Sequence, residues 1–249
     1  MIELHPPLHS VSERTQERFG IIRDFEHNYD PNDTVRRDLG HISLNPVIGP
    51  TAVGKSFVID ELVTLDRKFG KVRSFSTRDP RPDDTPDTMV CLPWDERHIK
   101  RICNVIEAGD AVQYAFHPKT GDVYGTTMES YPAEYNLLPA LSNSVVAMEA
   151  LPFRSIRISS LVTTPELWSK WFEQRAFASL SDRKARLSEA ALALVWPLEH
   201  SHVAIINNRE GDALKTARKI RHFALSDGTR PPRDEGAAEE LLEYIRKAA

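Results

Sequence analysis

Cysteine is scarce in this 249-residue chain. Cys91 and Cys103 are too few and too irregularly placed for a disulfide framework or a zinc site. They read as reduced thiols of a cytoplasmic protein. The sequence holds no run of 18 apolar residues, so no transmembrane helix is expected. Met1 to Gln16 carries two prolines and several charges but no apolar stretch, which predicts no secretory leader. Positive charge is not in surplus either: 32 Lys plus Arg face 36 Asp plus Glu, a net charge of −4. That balance excludes a nucleic-acid binder relying on a global positive field, although it leaves room for a local basic pocket. No internal repeat is present. What remains is ordinary: 41% apolar and 27% charged residues, the composition of a globular protein. The length suits one large domain or two small ones, and such a chain buries a core without covalent staples.

The order of the residues predicts an α/β fold. Ser10 to Phe25 reads as a charged helix and His27 to Asp33 as turn chemistry. Ile42 to Ile48 suits a buried strand, although Pro46 donates no ladder hydrogen bond. Val58, Leu62, Leu65 and Phe69 give Ser56 to Phe69 a helical period, and Lys71 to Phe75 follows as a strand. Ser76 to Pro93, rich in Pro, Asp and Thr, is expected as a loop. Glu96 to Glu107 reads as a helix, and Ala111 to Phe116 and Val123 to Thr127 as strands of a small subdomain. Ser144 to Met148 and Ile156 to Val162 carry buried-strand character. Helices are expected from Thr164 to about Arg175, from Asp182 to Trp196 and from Asp212 to Leu225, with Val203 to Ile206 a strand between the last two. Ser226 to Gly236 reads as a linker and Ala237 to Ala249 as a short terminal helix. Strands alternating with helices point to a mainly parallel sheet flanked by helices.

Gly49-Pro-Thr-Ala-Val-Gly-Lys-Ser56 satisfies G-x-x-x-x-G-K-[ST] in full. The chemistry needs this spacing. Glycines let successive backbone N–H groups curl around a phosphate, and the following helix aims its positive end at the same anion. Lys55 is placed to reach the outer phosphates, and the Ser56 hydroxyl to help hold Mg²⁺. The preceding apolar strand and the following periodic helix supply the expected context. The loop alone does not name a reaction, since ATPases, GTPases and kinases share it. Its wording resembles that of tRNA dimethylallyltransferases, but those continue with Asp-Ser-x-Gln where this chain has Ser74-Phe-Ser-Thr-Arg78.

Ser74-Phe-Ser-Thr-Arg78-Asp-Pro-Arg81-Pro82 is the second informative cluster. Two arginines three residues apart, braced by Pro80 and Pro82, can present two planar donor forks to one phosphate. One strand after a phosphate loop, this cluster resembles the Ser-x-[ST]-Thr-Arg-x-Pro-Arg of the guanylate kinase family. The resemblance continues through Ile106-Glu-Ala-Gly-Asp-Ala-Val-Gln-Tyr-Ala115 and Gly121-Asp-Val-Tyr-Gly-Thr-Thr127. Arg175 and Arg186 fall at the spacing of two arginines bordering the family's lid, and Asn207 resembles its Val-Asn-Asp turn.

The resemblance implies a P-loop core (residues 41–225) with an acceptor-binding subdomain over about 76–128 and a helical lid over about 175–186. Residues 1–40 then form an N-terminal extension, and 226–249 a linker and terminal helix. It further implies a nucleoside monophosphate kinase using ATP and Mg²⁺. Gly49, Thr51, Ala52, Val53, Gly54, Lys55, Ser56 and Phe57 would surround the donor phosphates, with Ser56 on the metal. Ser74, Arg78, Arg81 and Tyr124 would hold the acceptor's phosphate, while Gln113, Thr126 and Glu149 would lie near its base or ribose. Lys55, Arg78, Arg175 and Arg186 would stabilise the transferring group. Nucleotides are the implied partners; nothing signals nucleic acid or membrane, and the oligomeric state stays open.

Departures from the pattern concentrate at the base. Gln113 replaces a glutamate that accepts from two guanine donors, and a carboxamide offers one acceptor and one donor there. Ala147 replaces an Asp of the family's strand motif, and Trp171 stands where a lid-side arginine is common. Trp168 and Trp171 read as helix-packing residues. A kinase for another phosphorylated acceptor, such as a modified nucleotide or ribose phosphate, or a non-catalytic guanylate-kinase-like protein-binding module, are the alternatives; the intact phosphate loop favours the enzyme.

Overall fold

The computed structural model of the chain describes residues 11–81, 84–117, 120–175, 179–209, 212–226 and 228–248. In chain order, helices α1 (Glu13–Asp24) and α2 (Asp33–Leu39) precede strand β1 (Ser43–Ile48) and helix α3 (Lys55–Leu65). Strands β2 (Phe69–Lys71), β3 (Ser74–Ser76) and β4 (Met89–Cys91) lead to α4 (Glu96–Glu107), β5 (Ala111–Phe116) and β6 (Val123–Thr127). Next come β7 (Tyr135–Pro139), α5 (Ser142–Glu149), β8 (Ser155–Ile156), β9 (Ser159–Val162) and α6 (Pro165–Glu173). The chain continues with α7 (Leu180–Glu199), β10 (Ala204–Asn207), α8 (Ala213–Leu225) and α9 (Glu235–Ala248). These elements form two compact units. The first comprises residues 1–42, 71–132 and 151–153, and the second residues 43–70, 133–150 and 154–249.

The first unit is built on a four-stranded sheet of order β4-β3-β6-β5. Ile99, Ile102, Cys103 and Ile106, spaced at one helical face, turn α4 onto that sheet, where they bury with Val123 and Tyr114. Helix α1 adds Phe19 and Ile22 to the same core. It is pinned by Glu96, which accepts from the Ser12 amide at 2.7 Å and from Thr15 Oγ1 at 2.7 Å, and by Arg18, which donates to Glu107. Burial raises the Cys103 thiol to about 11, so it stays a neutral core residue. Strand β4 lies inside the stretch expected as a loop. It exists because Met89–Cys91 pairs in parallel with Ser74–Ser76, a long-range partnership that local periodicity does not carry.

In the second unit, among the described residues, a six-stranded sheet runs β10-β9-β1-β7-β2, with β8 also paired to β1. The pairs of β1 with β7, β8 and β9, and of β9 with β10, are parallel. Every residue of β1 is buried, as befits a central parallel strand covered on both faces. Pro46 is tolerated there for a specific reason. Leu44 and Pro46 present backbone groups to the same flank, because strand periodicity is two. On that flank Leu44 O accepts from Arg157 N at 3.0 Å, and opposite Pro46 the partner is interrupted between β8 and β9. The missing N–H therefore faces the break in the ladder.

Helices α3 and α8 pack together over one apolar cluster containing Val58, Leu62, Leu137, Leu161, Ile220 and Phe223. A second cluster joins α6, α7 and α9 through Trp168, Phe172, Leu187, Leu194, Leu241 and Ile245. The segment expected as a linker is tied into this unit. Arg233 bridges to Ile205 and donates to the carbonyls of Pro197, Leu198, His200 and Val203, satisfying the end of α7. Asp234 then caps α9 by accepting from Ala237 N at 3.2 Å.

One strand expectation fails in the second unit. Ser144–Met148 is not a strand but the body of α5: Val145 and Met148 are buried while Val146 is 51% exposed, the burial rhythm of a helix. The strand in that region is β7, which lies earlier in the chain and in register with β1. No helix among the described residues is long and apolar enough to cross a membrane.

Candidate functional site

The phosphate-type loop of the second unit leaves the C-terminal end of β1 and enters α3 at Gly54. Gly49 has φ 131°, and a Cβ there would fall 2.5 Å from the carbonyl oxygen of Leu161, so both conformation and space demand glycine. Val53 is buried in the α3–α8 cluster, which anchors the loop's middle. Ala52, at φ 65°, is the one non-glycine residue with a left-handed backbone among those described. Lys55 begins α3, but its side chain folds back beneath the loop. Nζ donates to Gly49 O at 2.7 Å and Pro50 O at 3.0 Å. Desolvation lowers its pKa to about 8, with Arg175 acting in the same direction and Glu189 opposing. The Ser56 hydroxyl makes no hydrogen bond among the described residues and is exposed. Phe57, the last residue of the expected phosphate-binding set, is 75% exposed.

Around this loop the second unit gathers cations. Arg175, just past α6, donates from Nη1 to Thr51 Oγ1 at 2.7 Å. Arg186 lies on α7, held by its own helix through Glu189 at 3.1 Å and Asp182 at 3.6 Å. Glu189, an acid that no motif in the sequence singles out, pairs with Arg186 and acts on the Lys55 charge, while Thr51 holds Arg175. The expected lid over 175–186 includes residues 176–178, which lie outside the described residues. Trp168, expected to pack, is 1% exposed, yet its indole Nε1 also donates to Thr51 O at 2.9 Å.

In the first unit four of the expected acceptor residues, Ser74, Gln113, Tyr124 and Thr126, share one face of the four-stranded sheet. Val123 on β6, Tyr114 and Phe116 on β5, and Phe75 on β3 point into or against the α1–α4 core. Alternation then turns Tyr124 and Thr126, Gln113, and Ser74 and Ser76 to the opposite face. Register places Gln113 beside Thr126 and Ser76 beside Tyr124. Gly125 between them lets the Phe75 ring lie against β6, where a Cβ would come within 2.4 Å of it. Thr126 is fully buried, with its hydroxyl 3.1 Å from that of Tyr131. The side chains of Ser74, Gln113 and Tyr124 make no hydrogen bond among the described residues, which leaves polar groups available on this face.

Arg78 is already engaged. Its guanidinium donates to Asp84 Oδ2 at 2.7 Å and Oδ1 at 2.5 Å, a two-pronged pair that raises the Arg78 pKa and lowers that of Asp84. Asp84 Oδ2 also accepts from the Arg81 amide at 2.6 Å. Asp84 therefore organises both arginines, a role the sequence does not announce although the acid lies six residues after Arg78. Pro82, expected as a brace, lies outside the described residues.

Glu149 is displaced from its expected setting. It closes α5, and its Oε1 lies 2.8 Å from His202 Nε2, on the N-terminal side of β10. The phosphate-type loop leaves the opposite, C-terminal end of its strand. In P-loop proteins the metal is shared by the loop hydroxyl and an acid on a neighbouring strand. On one side of β1, β7 runs into Ala140-Leu141, and on the other β9 runs into Thr163-Thr164, neither with a carboxylate. Among the described residues no group of three or more His, Cys, Asp or Glu could hold a metal.

No family model matches the chain, and no curated protein matches it. Among solved structures, the chain is similar to a guanylate kinase from Anaplasma phagocytophilum at 14% identity and a TM-score of 0.43, over 75% of this chain and 87% of that one. The architecture is that of an α/β protein with a mostly parallel sheet flanked by helices.

Proposed function

We propose that this protein is a P-loop phosphotransferase that moves the γ-phosphoryl group of ATP, accompanied by Mg²⁺, onto a nucleoside monophosphate, with GMP or dGMP the first choice. The observation that carries this reading is the Gly49–Ser56 loop between a buried parallel strand and a helix N-terminus, with Lys55 beneath it. Lys55, Arg175 and Arg186 supply the cations that spread phosphoryl charge needs, and Ser56 the hydroxyl for the metal. Ser74, Arg78, Arg81 and Tyr124 supply phosphate-binding groups for the acceptor, with Gln113 and Thr126 beside them for its base. Such a reaction needs little covalent help: in-line positioning and electrostatic stabilisation supply most of the acceleration.

A coupled ADP-release assay across ribo- and deoxynucleoside monophosphates and ribose phosphates tests the reading. Turnover with a monophosphate, abolished by Lys55→Ala in a folded protein, is the expected result. ATP binding without turnover on any monophosphate would move the assignment to another phosphorylated acceptor. A second reading has its own support, the lack of a carboxylate at the end of β7: a guanylate-kinase-like module that binds nucleotide without transferring phosphate. Turnover excludes it.

A further inference from the structure

Ala52 is strained and Thr51 is gripped, and the two facts belong together. An L-residue at φ 65° brings its Cβ close to the following carbonyl and stays there only when its surroundings hold it. Thr51, immediately before, is held twice: its carbonyl accepts from Trp168 Nε1 at 2.9 Å, and its hydroxyl from Arg175 at 2.7 Å. Ala52 itself packs against the apolar cluster of α6, α7 and α9 to which Trp168 belongs. The indole cannot swing away. It is 1% exposed, stacked on Phe172 at 4.7 Å and 24°, and met edge-on by Tyr244 of α9 at 6.3 Å and 80°.

We infer that Trp168 is a positioning residue for the phosphate loop: its indole N–H, with the cluster under Ala52, holds the left-handed turn at Ala52 on which the path of the loop's backbone depends. The inference rests on the reading of Gly49–Ser56 as a phosphate loop, and it adds a determinant outside the loop motif. It also makes α9 a distant support of that loop, because Tyr244, Leu241 and Ile245 hold the indole's surroundings in place.

The test is hydrogen–deuterium exchange over residues 49–57 of the full chain without nucleotide, paired with titration of Mg²⁺-ADP. Trp168→Phe keeps an aromatic ring but removes the donor. Loop protection and ADP affinity are each expected to fall on the order of fivefold, the worth of one net hydrogen bond. Glycine pays no steric penalty at positive φ, so Ala52→Gly added to Trp168→Phe should restore most of both losses. A purely structural loss at Trp168 would not be rescued at residue 52. Unchanged protection in Trp168→Phe, or a loss that Ala52→Gly leaves in place, overturns the inference. Should Trp168→Phe fail to fold, 3-benzothienylalanine at position 168 replaces the N–H with sulfur in the same ring shape, and wild-type protection in that variant overturns it equally. Exchange needs no ligand, so failure of wild-type protein to bind ADP would count against the proposed function while leaving the exchange comparison interpretable.

Discussion

Replacing Lys55 by methionine should make the protein more stable at neutral pH and less stable in alkali. Burial beneath the loop moves the Lys55 ammonium from 10.5 to about 8. At about 1.4 kcal/mol per pH unit, holding the charge there costs the folded state roughly 3 kcal/mol. The sign follows from proton counts. Below pH 8 both folded and unfolded chains carry the charge, and the full penalty applies. Between pH 8 and 10.5 the folded lysine is neutral while the unfolded one still binds its proton, so stability rises with pH and the penalty disappears. Methionine fills similar space without charge, but the carbonyls of Gly49 and Pro50 lose their donor. Those two hydrogen bonds are worth about 1 kcal/mol each. The variant should therefore gain about 1 kcal/mol at pH 7 and lose about 2 kcal/mol near pH 10.5, so the two stability curves cross. Urea unfolding in phosphate-free buffer at both pH values measures this. Tyr114, raised by burial to about 12, and Cys103, raised to about 11, raise alkaline sensitivity equally in both proteins and cancel in the difference. A difference that stays constant within about 0.5 kcal/mol across the range would refute the assignment of a desolvated ammonium beneath the loop.

Gly49→Ala should destabilise by about 3 kcal/mol or more, since its Cβ meets Leu161 O at 2.5 Å, whereas at Gly54 a Cβ meets nothing within 4 Å and only the backbone strain of about 1–2 kcal/mol applies. Equal melting temperatures for the two variants would contradict that ranking. Asp84→Asn breaks the two-pronged hold on Arg78 and should raise the acceptor KM about tenfold, or about 1.4 kcal/mol, with ADP affinity unchanged; an unaltered KM would mean Asp84 does not set the arginine. Gln113→Glu, which supplies two acceptors in place of one, should shift selectivity toward GMP by about one to two orders of magnitude, and unchanged selectivity would remove Gln113 from base reading.

The phosphate-type loop was legible because its requirements are local: a turn that only glycine permits at residue 49, a lysine, and a helix start, all within one short segment. The shared sheet face of Tyr124 and Thr126, which the sequence assigns to an acceptor, was legible for a similar reason, since strand alternation alone puts them there. What stayed hidden depended on distant partners. Strand β7 carries no clear local signal because Asn136 and Pro139 interrupt an otherwise apolar run, and it is a strand by virtue of pairing with β1. The Val145-Val146 pair drew the strand assignment into α5 instead, since β-branched neighbours favour strands until burial selects residues 145 and 148. Glu149 ends that helix and so lies away from the strand end at which the sequence alone puts it. Asp84 and Trp168 illustrate the other limit: an aspartate and a tryptophan fit many roles, and only coordinates show which groups they hold.

Helix α9 has a consequence for how the protein is made. Residues 235–248 leave the ribosome after every other element of their unit, yet Ala238, Leu241 and Ile245 complete the cluster on which Ala52 rests. A nascent chain stopped at residue 225 would have synthesised the whole Gly49–Ser56 motif and still lack much of its support. On the proposed function, competence for nucleotide arrives only once α9 has been synthesised, and a product truncated before it should expose Trp168 to solvent and to proteases.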